Sequence, residues 1–245
     1  MWQSVIRLWQ ALFYPPRCQE CKKQVEGQAL LCSGCRSKLQ KKSYLHGEAL
    51  LGKHLAGACL LYAYSGGVKQ TMHAVKYLQR KNMLPKLATE VADNLTWQEL
   101  TKAWSCPELT VVPIPTEPER KKQRGYDIPE AIFAPWCHKA QLPWQAALVR
   151  SRGVKPQYGL NKKDRRSNVA GSFQVIGQVK DKHILLVDDI YTTGATMTEA
   201  AKVLKQAGAK AVWALAFSGG AVQEHERKRS VIGDSEPLRR PLSVP

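Results

Sequence analysis

His183-Ile-Leu-Leu-Val-Asp-Asp-Ile-Tyr-Thr-Thr-Gly-Ala-Thr-Met197 is the stretch that decides how this chain folds. Ile184 to Val187 are consecutive apolar, strand-forming residues, and such a run reads as a buried strand over His183–Val187. Asp188 and Asp189 follow at its carboxyl end, then the small residues Thr192, Thr193, Gly194, Ala195 and Thr196. A helix is predicted over Thr196–Gln206, stopped by Gly208. In an open α/β sheet, ligands bind where strands end and the next helix begins. Backbone N–H groups of Thr193 to Thr196 can wrap a phosphate at the helix N-terminus, and Gly194 allows close approach without a Cβ. The hydroxyls of Thr192, Thr193 and Thr196 add donors. Adjacent carboxylates just upstream can accept hydrogen bonds from the paired hydroxyls of a ribose, directly or beside Mg²⁺. A plainer alternative is a turn followed by an N-cap at Thr196. The order strand, two acids, small-residue loop, helix favours a ribose 5-phosphate pocket. A Walker loop is excluded, because no Gly-Lys-Ser/Thr follows.

Working outward, strand and helix patterns alternate across residues 46–219, which predicts an α/β domain with a mainly parallel sheet. Leu60–Tyr64 reads as a strand ending at a Gly-Gly turn, Val68–Arg80 as a helix and Leu84–Leu100 as a second one. Leu109–Ile114 is a short strand closed by prolines. Asp127–Lys139 is the next helix, with Pro129 in its first turn, and Ala211–Phe217 is a final strand. Residues 220–245 combine Gly, charges and prolines with little periodicity and read as a disordered tail. Residues 1–45 hold a short amphipathic helix with apolar Trp2, Val5, Ile6, Trp9, Leu12 and Phe13, then a cysteine-rich module. That helix packs on its own protein or touches a membrane surface. It lacks the basic start and small-residue cleavage site of a secretory signal, and no apolar run reaches the ~18–20 residues that span a bilayer. A cytoplasmic protein is expected.

The module is built on Cys18-x-x-Cys21 and Cys32-x-x-Cys35, a spacing that suits a tetrahedral Cys₄ zinc site. Four thiolates leave no open coordination position, so a structural role is expected; an iron–sulfur cluster or redox cysteines are the alternatives. Cys59, Cys106 and Cys137 read as ordinary buried thiols. An odd total of seven cysteines argues against a disulfide framework. The formal charge of +17 favours nucleic acid, acidic membrane surfaces or phosphorylated ligands as partners. It is concentrated in Arg120–Arg124 and Arg150–Arg166.

Leu185 to Met197 resembles the phosphoribosyl-pyrophosphate motif of type I phosphoribosyltransferases. With the N-terminal Cys₄ module, the chain as a whole is similar to the ComF competence-protein family over roughly residues 12–217. Tyr64-x-Gly66-x-x-Lys69, Lys76-Tyr77, Val111-Val-Pro-Ile-Pro115, Arg120, Arg124-Gly125-Tyr126, Pro156-Gln157 and Arg166-x-Asn168-Val169 carry that similarity. It implies a type I phosphoribosyltransferase-like parallel-sheet domain with a small zinc-ribbon-like module. It further implies that Asp188 and Asp189 bind the ribose hydroxyls and Thr192 to Thr196, Gly194 and Ala195 included, the 5-phosphate. The segment Val111–Pro115 would cradle the pyrophosphate. Lys76, Arg120, Arg124 and Arg166 are the cations available to neutralise it, although each taken alone also reads as a solvent-facing charge. Where the family usually has Arg-Gly-Phe-Asn-Gln, this chain has Arg124-Gly125-Tyr126-Asp127-Ile128, which replaces amide donors by a carboxylate.

Three functions compete at this level. The first is a protein that binds phosphoribosyl pyrophosphate with Mg²⁺ and handles incoming single-stranded DNA during DNA uptake and natural transformation, alongside uptake or recombination proteins. The second is an active phosphoribosyltransferase that moves the pentosyl group to an unknown acceptor. The third is a non-enzymatic, zinc-containing adaptor. No residue stands out as a general base, so the sequence supports ligand binding further than turnover.

Overall fold

The computed structural model describes residue 2 and residues 15–40, 42–47, 51–106, 108–150 and 171–220. Most of the leading helix, the basic stretch over 151–166, the motifs at Pro156-Gln157 and Arg166-Asn168-Val169, and the tail over 221–245 lie outside the described residues.

A five-stranded sheet forms the centre. Its strands are β1 (Ser43–Leu45), β2 (Gly57–Ala63), β3 (Thr110–Pro113), β6 (His183–Tyr191) and β7 (Ala211–Gly219), in the order β1-β2-β7-β6-β3. Strands β2, β7, β6 and β3 run parallel, and β1 joins the edge antiparallel to β2. The motif strand β6 is therefore central, paired on both sides, with Leu185 opposite Val111 and Trp213. Side chains alternate between faces along a strand. Leu185 and Val187 enter one apolar cluster with helices α2 (Gly66–Tyr77), α3 (Leu84–Asn94), α4 (Trp97–Trp104) and α6 (Ile128–Lys139). Ile184 and Leu186 enter the other, with helix α7 (Ala195–Gln206). Cover on both faces explains why the run is continuously apolar instead of alternating. Each of these four side chains is fully buried, stabilising the fold by about 1.5–3 kcal/mol apiece.

Several elements depart from the sequence-based expectations, among them the edge strand β1, which the sequence did not announce. Strand β6 does not stop at Val187. Its pairing with β7 continues through Asp188 opposite Ala216 to Tyr191 opposite Gly219, so both acids lie inside the strand. The expected helix over Leu84–Leu100 is two helices, because Thr96 caps α4. The Glu99 N–H donates to the Thr96 hydroxyl at 3.3 Å and the Thr96 N–H to the Glu99 carboxylate at 3.0 Å, a capping box. A short helix α5 (Pro118–Arg124) precedes α6. A separate hairpin of β4 (Leu148–Arg150) and β5 (Phe173–Val175) packs its Leu148 and Phe173 into the second cluster. Among the described residues, no helix is long and apolar enough to cross a membrane.

The cysteine module, with its helix α1 (Ser33–Leu39), is seated on the sheet domain through the carboxylates of Glu90 and Glu20 and shared core residues Cys18, Val25, Leu30 and Leu31. Glu90 of α3 is 1% exposed. Its carboxylate accepts from the Leu30 N–H at 3.1 Å, from the Arg36 guanidinium at 2.8 and 3.1 Å, and from the Tyr62 hydroxyl at 2.6 Å. Burial first, and then the Glu90 charge, pushes the Tyr62 hydroxyl above its ordinary value. The Glu20 carboxylate accepts from the Gly67 N–H in the first turn of α2, where the helix dipole favours negative charge. A Cβ at Gly67 would lie 2.6 Å from the Gln19 carbonyl carbon and 2.7 Å from the Glu20 nitrogen, both backbone atoms that cannot swing aside. Gly67→Ala is therefore expected to cost about 1–3 kcal/mol by forcing the module and α2 apart, read as a lower denaturation midpoint with an intact sheet-domain circular dichroism spectrum.

Candidate functional site

At the carboxyl end of β6 the two acids point to opposite sides of the strand. The Asp189 side chain is buried, and its Oδ1 accepts from the Lys76 ammonium at 2.9 Å. Lys76 lies in the last turn of α2, 113 positions away in the chain. Burial alone would lower the Lys76 ammonium, but Asp189 and then Asp188 outweigh it and hold Lys76 above its ordinary value. Asp188 turns its Oδ1 back to the Asp189 N–H at 2.8 Å. Its carboxyl is partly exposed at the surface, yet dense protein around it leaves the charge poorly hydrated. That burial, and next the Asp189 charge, push Asp188 well above the usual carboxylate range, with Lys76 opposing.

Beyond the end of β6 at Tyr191 the chain turns into α7. Gly194 takes φ +74° as its N-cap, and a Cβ there would run into the ring of buried Tyr191. The Ala195 N–H reaches the Thr193 hydroxyl only at 3.4 Å. The first N–H groups of a helix have no partner within it, so Ala195, Thr196 and Met197 direct donors out of a positive helix end. Thr192 is exposed and Thr193 and Thr196 partly so.

A second group of residues lies around Arg150, which the sequence offered only as the first member of a basic stretch. It ends strand β4, donates from Nε to the Pro115 carbonyl at 2.9 Å, and lies over the Phe173 ring at 4.9 Å. Burial lowers its guanidinium, while Glu117 and Asp188 raise it and Arg120 lowers it further. Arg150 thus ties the end of β3 to the electrostatic neighbourhood of Asp188. Arg120 belongs to the same neighbourhood, paired with Glu117 at 2.8 Å. Asp127 accepts the Thr116 N–H at 3.2 Å through Oδ2, and its buried Oδ1 has no partner among the described residues. Arg124 is 8% exposed, one residue before the left-handed Gly125 (φ +75°) that ends α5. No hydrogen bond or ion pair joins Arg124 to another described residue. The structure therefore gathers Lys76, Asp188, Asp189, Arg120 and Arg150, with the Thr192–Thr196 turn just beyond the acids, and does not link Arg124 to them. A cation closing a short apolar strand was the one signal for Arg150.

In the module, Cys18, Cys21, Cys32 and Cys35 place their sulfurs within 4.8 Å of one another. A tetrahedral zinc with Zn–S near 2.3 Å separates its sulfurs by about 3.8 Å, so the four fit a structural zinc ion. The first knuckle is closed by the Cys18 N–H donating to the Lys23 carbonyl at 2.8 Å, and by Lys22 (φ 64°) donating back to Cys18 at 3.0 Å. Without a cation the four thiols would share protons unequally. Burial raises Cys18, but the backbone N–H groups of Cys21, Cys32 and Glu20 outweigh it and bring it to about 6. Cys35 is pushed up to about 12 by burial and the neighbouring sulfurs. The other three cysteines are buried and free. Burial raises Cys59 and Cys137 to about 12, so neither offers a thiolate. The chain thus has sulfurs for one Cys₄ site.

Comparison with known proteins agrees with both halves. Residues 142–238 match the phosphoribosyl transferase domain family and residues 9–60 the double zinc ribbon domain family. The DNA utilization protein YhgH of Salmonella typhimurium (strain LT2) is 24% identical over 202 residues, which cover 81% of this chain and 88% of that protein. YhgH of Escherichia coli (strain K12) is 26% identical over 155 residues, covering 62% and 68%. A ribose-phosphate pyrophosphokinase of Wolinella succinogenes is 36% identical over 108 residues, covering 39% of this chain and 35% of its own. A cysteine zinc ribbon is thus seated on a type I phosphoribosyltransferase-like sheet, and the similarity to DNA utilization proteins agrees with the chain's resemblance to the ComF family.

Proposed function

We propose that the carboxyl end of β6 binds phosphoribosyl pyrophosphate together with Mg²⁺, and that the protein uses this site while handling incoming single-stranded DNA in the cytoplasm during natural transformation. The observation that carries the reading is the pair Asp188–Asp189 just ahead of the Gly194 turn into α7, with Lys76 delivered beside it from α2. In this reading Asp188 and Asp189 accept from the ribose hydroxyls. The N–H groups and hydroxyls of Thr192 to Thr196 take the 5-phosphate. Lys76, Arg120 and Arg124 neutralise the pyrophosphate, with Arg150 added to them. The carboxylate oxygens are the hard donors that Mg²⁺ prefers, and the ion would supply positive charge where the acids crowd each other. The DNA part is supported by relatives named for DNA utilization and by the charge of +17.

Calorimetric titration of phosphoribosyl pyrophosphate into the full chain tests the site. One saturable, Mg²⁺-dependent site is expected, with ribose 5-phosphate binding more weakly because it lacks the pyrophosphate. No heat and no thermal shift at millimolar ligand would contradict it. Pyrophosphate release, followed with and without single-stranded DNA and a panel of bases, separates binding from transfer.

A further inference from the structure

Folding leaves one end of α2 with its apolar groups in water. Tyr77 and Leu78 are 56% and 59% exposed. His73, one turn earlier, brings its ring centroid to 4.9 Å from that of Tyr77. Lys69, a further turn back, is exposed on the same face, since positions four apart stack on a helix. Just beyond the helix, Gln79 adopts φ 52°, and exposed Arg80 and Lys81 follow it. From Gly66 to Thr89 the chain carries Lys69, Lys76, Arg80, Lys81 and Lys86 and no Asp or Glu. A single exposed tyrosine is ordinary. A paired ring surface set in an acid-free basic stretch is the arrangement that holds single-stranded nucleic acid, in which rings stack on unpaired bases and cations track phosphates.

We propose that this face of α2, formed by Lys69, His73, Tyr77, Leu78 and Arg80, is the surface on which single-stranded DNA binds. The proposal rests on the DNA-handling reading above and names its contact surface. An anionic membrane would also attract the cations, but α2 has no apolar face left to enter lipid. Its Val68, Met72 and Val75 are committed to the core, whereas a membrane-surface helix needs a broad free apolar face. The location also has a consequence. Tyr77 adjoins Lys76, which holds Asp189, so a base stacked on Tyr77 lies on the same helix turn that faces the acid pair.

Fluorescence anisotropy of a labelled oligo-dT, measured over a salt series, tests this on the full chain. Tyr77→Ala is expected to weaken binding about ten-fold, with Tyr77→Trp restoring it. Lys69→Gln with Arg80→Gln should flatten the slope of log K against log salt by roughly 1.4, about 0.7 per phosphate contact. Melting temperature and phosphoribosyl pyrophosphate titration should not change in any of these variants, because the altered side chains lie outside the core and the pocket. If the wild type binds the oligomer and all variants bind like it, the surface is wrong and the DNA-handling reading survives. If the wild type does not bind single strands, both fall. Equal loss on duplex DNA, or loss of binding to phosphatidylglycerol vesicles in place of the oligomer, would overturn the stacking assignment.

Discussion

Replacing Asp188 by Asn should make the ligand-free protein more stable at neutral pH while weakening its grip on phosphoribosyl pyrophosphate. Burial and the adjacent Asp189 lift the Asp188 carboxyl well above its ordinary value of 3.8, so between the unfolded and the folded value the folded state holds a proton that the unfolded chain has given up, and above both the buried charge is a cost to the fold. Stability from this group is full below pH ~4 and declines as pH rises toward the folded value. Lys76 is also raised, but an ammonium held above 10.5 stays charged in both states through the neutral range and adds no slope there. Asparagine removes the repulsion and is expected to gain on the order of 1 kcal/mol at pH 7, or roughly 2–4 °C in melting temperature. The same change removes a charged acceptor from the ribose hydroxyls and should cost ligand affinity about 10- to 100-fold. Thermal melts from pH 4 to 8 check the first part. A wild type whose stability rises over that range on account of Asp188 would contradict it.

Removing the metal, or substituting Ser for Cys32, should damage more than the module. Structural zinc contributes folding free energy directly, and thiol sites without it commonly unfold. Here the module also supplies the Leu30 N–H and the Arg36 guanidinium to Glu90, whose side chain is fully buried. Losing them leaves a buried carboxylate with its charge unpaired, a cost of roughly 3 kcal/mol, or about 6–12 °C in melting temperature for a chain of this size. Metal analysis should give about one zinc per chain, and scanning calorimetry with a chelator should show the sheet-domain transition moving down with zinc loss. An unshifted main transition in the zinc-stripped protein would mean that the module is an independent appendage.

The parts legible in the sequence were those with local signals. The apolar run Ile184–Val187 announced a buried central strand because both of its faces are covered. Thr96-Trp-Gln-Glu99 carried a capping-box signature, and reading through it merged two helices. Gly194, read as a position of close approach, also takes the left-handed turn that begins α7. What escaped were features made by distant partners. β6 extends to Tyr191 because β7 offers pairing partners as far as Gly219. Arg150 gained its position when β4 and β5 closed a hairpin across a long intervening segment. Glu90 looked like any polar residue of an amphipathic helix, and only the docked module explains a buried carboxylate there. Leu78 read as one of the helix's apolar positions with Val68, Met72 and Val75, yet only those three enter the core.

We propose that the acids at the end of β6 hold a phosphoribosyl ligand. Titrating phosphoribosyl pyrophosphate with Mg²⁺ into the wild type and into an Asp188→Asn, Asp189→Asn variant measures it directly. Saturable binding is expected of the wild type and at least a hundred-fold weaker binding of the variant, which should remain folded, since Asn is nearly isosteric with Asp. Equal affinity in the two proteins would contradict it.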